Sequence, residues 1–111
     1  MVSVGDEPAW GVDRTQRLFG LHIVLLKRSY ILPWTQFLYA EGTQGEVRAA
    51  FSMHDVLVQG CGLEELLADF AAQAVTRLRE PTRMDKFLIP ASGPRIRAVE
   101  LRRVEGSGGS G

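Results

Sequence analysis

The residues best suited to nucleophilic catalysis lie close together in the chain: Ser52, His54 and Asp55. A catalytic triad needs its histidine to contact the serine and its carboxylate to contact the histidine. The side chains of neighbours in one short turn point in divergent directions, so they do not meet this geometric requirement. We therefore interpret the three residues as a polar turn, and the sequence predicts no catalytic residues.

Cys61 is the one cysteine of the chain, and it lies just before a predicted helix. Backbone N–H groups at a helix start favour a thiolate, but Glu64 and Glu65 in the same turn oppose it. The spacing of Cys61 from His22 and His54 matches no compact zinc pattern. The sequence thus predicts no metal and no cofactor. A small enzyme that uses Cys61 is the last of three hypotheses for the function.

Residues 27–39 interleave two cations with four aromatic side chains. Tryptophan, tyrosine and arginine supply much of the binding energy of protein interfaces. Cations and stacking rings are also what single-stranded nucleic acid requires of a protein surface. The candidate interaction surface consists of Lys27, Arg28, Tyr30, Trp34 and Tyr39. The competing interpretation is that Trp34 belongs to the core and that the tyrosines lie at its rim.

The charge balance decides between these two binding hypotheses. Thirteen basic residues offset thirteen acidic ones, so the formal net charge is zero. A chain without net positive charge lacks the usual electrostatic footprint of a nucleic-acid-binding protein. We therefore expect a non-enzymatic interaction module whose partner is a second copy of the chain or another protein. A module that binds single-stranded nucleic acid through Lys27 and Arg28 is the alternative.

The composition is that of an ordinary folded domain, with 45% hydrophobic and 23% charged residues. One cysteine allows no internal disulfide, which favours a reducing, cytoplasmic compartment. The longest apolar run, residues 21–26, is too short to span a bilayer, so we expect no membrane contact.

The domain organisation follows from the two ends of the chain. Residues 106–111 read GSGGSG, which we interpret as an engineered flexible linker tail. Residues 1–12 show no hydrophobic period and are expected to be a poorly ordered lead-in. The remainder is too short for two cores, so residues 1–105 are expected to form a single domain.

The strands are predicted from apolar runs and alternation. Residues 21–26 form a continuous apolar run, typical of a central strand covered on both faces. A strand over residues 34–41 is followed by a Gly-containing loop and by a strand over residues 46–53 with Val47, Ala49, Phe51 and Met53 inward. After residue 53 the apolar residues fall at even-numbered positions instead of odd-numbered ones, a change that we call the phase flip. A two-residue turn at residues 54–55, pairing Met53 with Val56 and Phe51 with Val58, accounts for that flip.

The one predicted helix covers residues 63–78, where apolar side chains recur at helical spacing. Residues 95–104 are predicted to form a last strand with a bulge near Ala98. These elements predict an α+β fold: an antiparallel meander of four to five strands with one amphipathic helix packed on one face.

Overall fold

The structure, a computed structural model, describes residues 9–15, 17–82 and 93–104. Within these ranges the chain has the predicted α+β fold, with mostly antiparallel strands and one helix. The strands form two four-stranded sheets instead of one meander. The expected linker tail, residues 106–111, and residues 1–8 of the expected lead-in lie outside the described residues.

The described residues form eight strands, one 3₁₀ turn and one helix. The strands are β1 (Gly11–Val12), β2 (Gly20–Val24), β3 (Ser29–Pro33), β4 (Phe37–Gly42), β5 (Glu46–Phe51), β6 (His54–Cys61), β7 (Val75–Arg79) and β8 (Arg95–Arg103). A 3₁₀ turn, Trp34–Gln36, joins β3 to β4, and the helix α1 is Glu64–Ala71. The first sheet has the order β1-β7-β2-β3 and the second the order β4-β5-β6-β8.

The strand β2 is central, as predicted, but only one of its faces is covered. Leu21 and Ile23 are fully buried, whereas His22 and Val24 on the opposite face are half-buried. The uninterrupted apolar run therefore does not mark a strand covered on both faces. Its even-numbered side chains lie on the outer face of the first sheet.

The predicted helix over residues 63–78 is half its expected length. After α1 the backbone of Gln73 is left-handed, with φ 54, and the N–H of Ala74 donates to the carbonyl of Asp69 at 2.9 Å. The chain then continues as β7, which pairs in parallel with β2 and places Leu78 opposite Ile23. The prediction was wrong because apolar residues three apart suit a helix, while β-branched side chains suit a strand that has a partner.

The alternation predicted for β5 is confirmed, since Val47, Ala49 and Phe51 are all buried. Its pairing with β6 differs from the prediction: Val47 lies opposite Val58, and Ala49 lies opposite Val56. The phase flip is therefore right, but the turn falls two residues earlier than predicted. Met53 consequently lies in the turn, exposed, and not in the ladder.

The bulge predicted near Ala98 is confirmed. Gln59 lies opposite Ala98 and Gly60 lies opposite Ile96, so Arg97 is the extra residue of β8. A Cβ atom at position 60 would overlap the carbonyl oxygen of Arg95. Glycine at this position therefore allows the two backbones to approach as closely as the bulge requires.

Trp34 lies in the core, where it joins the two sheets to the helix. Its side chain is 4% exposed and contacts Phe37, Phe51 and Phe70, with ring centroids 5.3, 5.6 and 6.1 Å away. The described residues offer no hydrogen-bond acceptor to its Nε1, so the ring stabilises the fold through its apolar area. Trp34 therefore does not belong to the candidate interaction surface, and the predicted strand over residues 34–41 begins instead with a 3₁₀ turn.

Asp69 attaches the start of the described chain to the helix. This carboxylate is buried, and it accepts hydrogen bonds from Trp10 Nε1 at 3.0 Å and from Arg14 Nη2 at 2.6 Å. Gly11 and Val12 extend the attachment by pairing with β7. Residues 9–12 of the expected lead-in are thus part of the fold.

We expect Asp69→Asn to lower the free energy of unfolding by about 1–3 kcal/mol, because the partly buried, charge-assisted hydrogen bond from Arg14 is lost. The amide oxygen can still accept the bond from Trp10. Equilibrium urea unfolding measures the loss. Glu65→Gln, an exposed change of the same chemistry on the same helix, is the control. An equal effect in the two variants would mean that the Asp69 contacts do not stabilise the fold.

Candidate functional site

Two exposed surfaces are candidates for binding, and they lie on different parts of the fold. The first surrounds the 3₁₀ turn that joins β3 to β4. The N–H of Trp34 donates to the carbonyl of Phe19 at 3.0 Å, and the N–H of Ser52 donates to the carbonyl of Gln36 at 2.9 Å. Ser52 Oγ also donates to Gln36 Oε1 at 3.1 Å. These bonds gather three separate segments of the chain at one corner.

The side chains that define this corner are apolar or neutral. The side chain of Phe19 is 80% exposed, and that of Leu38, the bulged residue of β4, is 62% exposed. We call the set the apolar corner; it consists of Phe19, Thr35, Gln36, Leu38, Ser52 and Met53. Its polar members are neutral, so two such surfaces can meet without opposing like charges.

The second candidate is the outer face of the first sheet. Residues that lie opposite one another in a sheet share a face, so the pairing defines two rows. Arg77, His22 and Ile31 form one row across β7, β2 and β3. Arg79, Val24 and Ser29 form the next row. Apart from the half-buried His22 and Val24, these side chains are exposed, and Ile31 is 62% exposed.

The turn between β2 and β3 continues this face at one end of the sheet. The N–H of Leu25 donates to the carbonyl of Arg28 at 2.9 Å, and both Lys27 and Arg28 are exposed. Glu80 lies at the same end, where its Oε1 accepts the N–H of Leu26 at 2.9 Å. We call this surface the basic face; it consists of Val24, Lys27, Arg28, Ile31, Arg77 and Arg79.

Some cations of the two sheets form ion pairs and others do not. On the outer face of the second sheet, Arg48 contacts Glu41 at 2.9 Å and Asp55 at 3.3 Å. The carboxylate of Asp55 raises the pKa of Arg48 above its ordinary value. On the basic face, by contrast, Arg77 forms no ion pair with any described residue, and neither do the two cations of the turn.

Exposed cations that form no ion pair with a described residue therefore lie on both sheets. Arg48 and Arg102 of the second sheet contact carboxylates, whereas Arg97 and Arg103 on β8 have no described carboxylate as a partner, like Arg77 on the first sheet. Arg77 and Arg79 were not among the predicted site residues, because they were assigned to the end of a helix. The β-branched pair Val75 and Thr76 was the sequence signal for a strand with both arginines on one face.

The predicted aromatic surface is divided among three places. Lys27 and Arg28 lie on the basic face. Tyr30 is half-buried beside the ring of His54, with centroids 6.1 Å apart. Tyr39 is 45% exposed on the outer face of the second sheet, and its ring lies 5.7 Å from the guanidinium of Arg48. With Trp34 in the core, the five residues do not form one surface. The competing interpretation is right for Trp34, and Tyr30 packs against the core as it expected, but Tyr39 does not lie at the rim of the core.

The nucleophilic residues singled out in the sequence have separate partners. Ser52 Oγ contacts Gln36, whereas Asp55 contacts Arg48. His54 and Cys61 lie at opposite ends of β6, so the strand holds them apart. Cys61 is half-buried opposite Arg95. Among residues 9–15, 17–82 and 93–104, no group of three or more acidic, histidine or cysteine side chains could hold a metal ion.

Comparison of the chain with protein-family models, with curated proteins and with solved structures gives no match. None of the described helices is both long and apolar enough to span a bilayer.

Proposed function

We propose that the chain is a non-enzymatic interaction module that associates with a second copy of itself through the apolar corner. The observation that carries this proposal is the exposure of Phe19 and Leu38 around one uncharged corner. Aromatic and aliphatic side chains that protrude from a surface become the anchors of an interface once a partner buries them. Exposure of these side chains to water does not stabilise a single chain.

A second copy is the partner that the apolar corner suits best. A two-fold contact brings the same patch of both copies together, so any charge on the patch would face an identical charge. The apolar corner carries no charged side chain, whereas the basic face would oppose arginines to arginines. Pairing through strand edges is less favourable, because the edge strand β3 ends at Pro33 and a bulge interrupts each of β4 and β8.

The solution mass tests this proposal. We expect the mass measured by sedimentation equilibrium to rise from that of one chain toward that of two as the protein concentration increases. The double variant Phe19→Ser, Leu38→Ser should stay monomeric. Ile31→Ser is the matched control, because it removes an equally exposed aliphatic side chain that lies outside the apolar corner.

Two results would contradict self-association at this corner. One is a wild-type protein that stays monomeric at the highest concentration reached. The other is a control variant, Ile31→Ser, that lowers the mass as much as the double variant does.

Binding of single-stranded nucleic acid is the second candidate function. The exposed cations Lys27, Arg28 and Arg77 favour it, because they have no described carboxylate as a partner. The aromatic rings expected to stack on bases are elsewhere, in the core or beside Arg48. Since stacking supplies much of the affinity for single strands, this arrangement supports the hypothesis less than the sequence did.

A further inference from the structure

We propose that Tyr30, His54 and Arg103 form a binding site for a phosphate monoester. The three side chains come from both sheets and meet at one end of the space between them. We call this set the end cluster. The end cluster and the apolar corner have no residue in common, so the proposal is independent of self-association.

The pairing of β6 with β8 puts His54 and Arg103 side by side. The two residues lie opposite each other in the ladder, so their side chains share a face of the second sheet. That face is the inward one, because the next pair on it consists of Val56, which is fully buried, and Leu101, which packs against the core. At this end of the sheet the inward face therefore finishes in a half-buried imidazole and an exposed guanidinium.

Tyr30 brings a hydroxyl group to the same place from the first sheet. It lies on the inward face of β3, opposite the fully buried Ile23, and packs against the core. Its ring is tilted against that of His54, with the centroids 6.1 Å apart. Strand pairing within the second sheet and packing between the sheets therefore hold the three side chains within reach of one small group.

No described residue occupies the hydrogen-bonding groups of the end cluster. The guanidinium of Arg103 forms no ion pair with a described carboxylate, and the other two side chains make no hydrogen bond to a described residue. The neighbouring acidic residues of β6 and β8, Asp55 and Glu100, lie on the outward face, where each carboxylate already contacts an arginine. The donors of the end cluster are therefore available to an anion.

These donors suit a phosphate monoester better than a carboxylate. A guanidinium binds two oxygens of either group through a planar pair of N–H donors. A carboxylate then has no further oxygen, whereas a phosphate monoester has a third, which can accept from an imidazole N–H or a phenol O–H. Its charge of about −1.5 to −2 also attracts a guanidinium more strongly than the single charge of a carboxylate or of a nucleic-acid phosphodiester.

The experiment measures fluorescence anisotropy with labelled probes at low salt. The first probe is a short glycine-rich peptide that carries one phosphoserine. Two further peptides have serine or glutamate in its place, and the fourth probe is a thymidine dinucleotide, which carries one phosphodiester. We expect the phosphoserine peptide to bind most tightly, with an affinity that falls as salt is added.

Competition distinguishes the two sources from which a phosphate monoester can come. Unlabelled inorganic phosphate should displace the phosphoserine peptide, because the phosphate group itself is recognised. A peptide that binds more tightly than inorganic phosphate would assign the site to a phosphorylated partner protein. Equal affinities would assign it to phosphate free in solution. Either result supports the proposal, and a failure of phosphate to compete contradicts it.

Variants locate the binding site. Arg103→Ala should weaken binding of the phosphoserine peptide by roughly tenfold, and Tyr30→Phe, which keeps the ring and removes the hydroxyl, by roughly threefold. Arg97→Ala is the matched control, because Arg97 is also an exposed cation of β8 but lies at the bulge, outside the end cluster. It should leave the affinity unchanged. Urea unfolding of each variant establishes that the fold persists.

Three further outcomes would overturn the proposal. The first is no binding of the phosphoserine peptide at about 1 mM, the weak limit of specific recognition. The second is an equal loss of affinity in Arg103→Ala and Arg97→Ala, which would indicate a general attraction between charges. The third is binding of the glutamate peptide or the dinucleotide as tight as that of the phosphoserine peptide. A monomeric protein that binds the phosphoserine peptide would reject self-association and leave this proposal standing.

Discussion

Phe70→Ala should lower the free energy of unfolding by about 3–5 kcal/mol, the usual cost of removing a buried aromatic side chain. Phe70 is fully buried on the inward face of α1, and its ring contacts Trp34 with centroids 6.1 Å apart. The substitution leaves a cavity at the point where the helix meets the two sheets. Surrounding rings from different elements cannot all move to fill it. Equilibrium unfolding in urea, followed by tryptophan fluorescence, measures the loss.

Leu67→Ala is the matched control for this prediction. Leu67 lies on the same helix, is half-buried and packs at the margin of the core. Its truncation should cost less than half as much as that of Phe70, since less apolar area is lost from contact. A loss in Phe70→Ala no larger than that in Leu67→Ala would place the centre of the core elsewhere.

Gly60→Ala should cost about 3 kcal/mol, at the upper end of the range for overpacked sites. The added methyl group would overlap the carbonyl oxygen of Arg95, a backbone atom of the neighbouring strand. A side chain could rotate away from such a contact, but a paired backbone cannot. The bulge that opposes Gly60 to Ile96 would therefore open, and the ladder between β6 and β8 would weaken. Thermal and urea unfolding of the variant measure the effect.

Gly45→Ala provides the comparison for Gly60. Its nearest neighbour to an added Cβ is the carbonyl oxygen of Gly60 at 3.8 Å, an ordinary contact. We expect a change within about 0.5 kcal/mol, as for most surface substitutions. The effect of Gly→Ala on the unfolded chain is stabilising and common to both variants, so an equal loss of stability in the two would mean that the close approach to Arg95 does not set the cost.

The features predicted correctly from the sequence are those that depend on near neighbours. The alternation of Val47, Ala49 and Phe51 and the phase flip after them follow from the two-residue period of a strand that has one buried face. The bulge near Ala98 also follows from local sequence, because the spacing of the apolar residues in the last strand departs from a two-residue period there. The identity of β7 does not, because Val75 and Leu78 fit either a helix or a strand. A strand is favoured here because β2 offers an edge with which residues 75–79 can pair. That edge lies far from β7 in the sequence, so the local pattern does not reveal it.

The candidate surface was missed for a related reason. Residues 27–39 form one stretch of sequence, but the 3₁₀ turn transfers the chain from one sheet to the other within it. Lys27 and Arg28 consequently stay on the first sheet, Trp34 enters the core at the transfer point, and Tyr39 lies on the second sheet. Composition alone groups these side chains together. The arginine that joins the two cations on a common surface, Arg77, comes from the opposite half of the chain.

The position of β7 between β1 and β2 also determines the order in which the chain can fold. The hairpins β4-β5 and β5-β6 join segments adjacent in sequence, so little loop entropy opposes their formation. The first sheet instead unites the beginning of the described chain with residues that follow the helix, and the bond between Trp10 and Asp69 closes a separation of 59 residues. Such distant pairings are slow to form. The local hairpins β2-β3, β4-β5 and β5-β6 should therefore form before β7 and β1 complete the first sheet and before β8 completes the second.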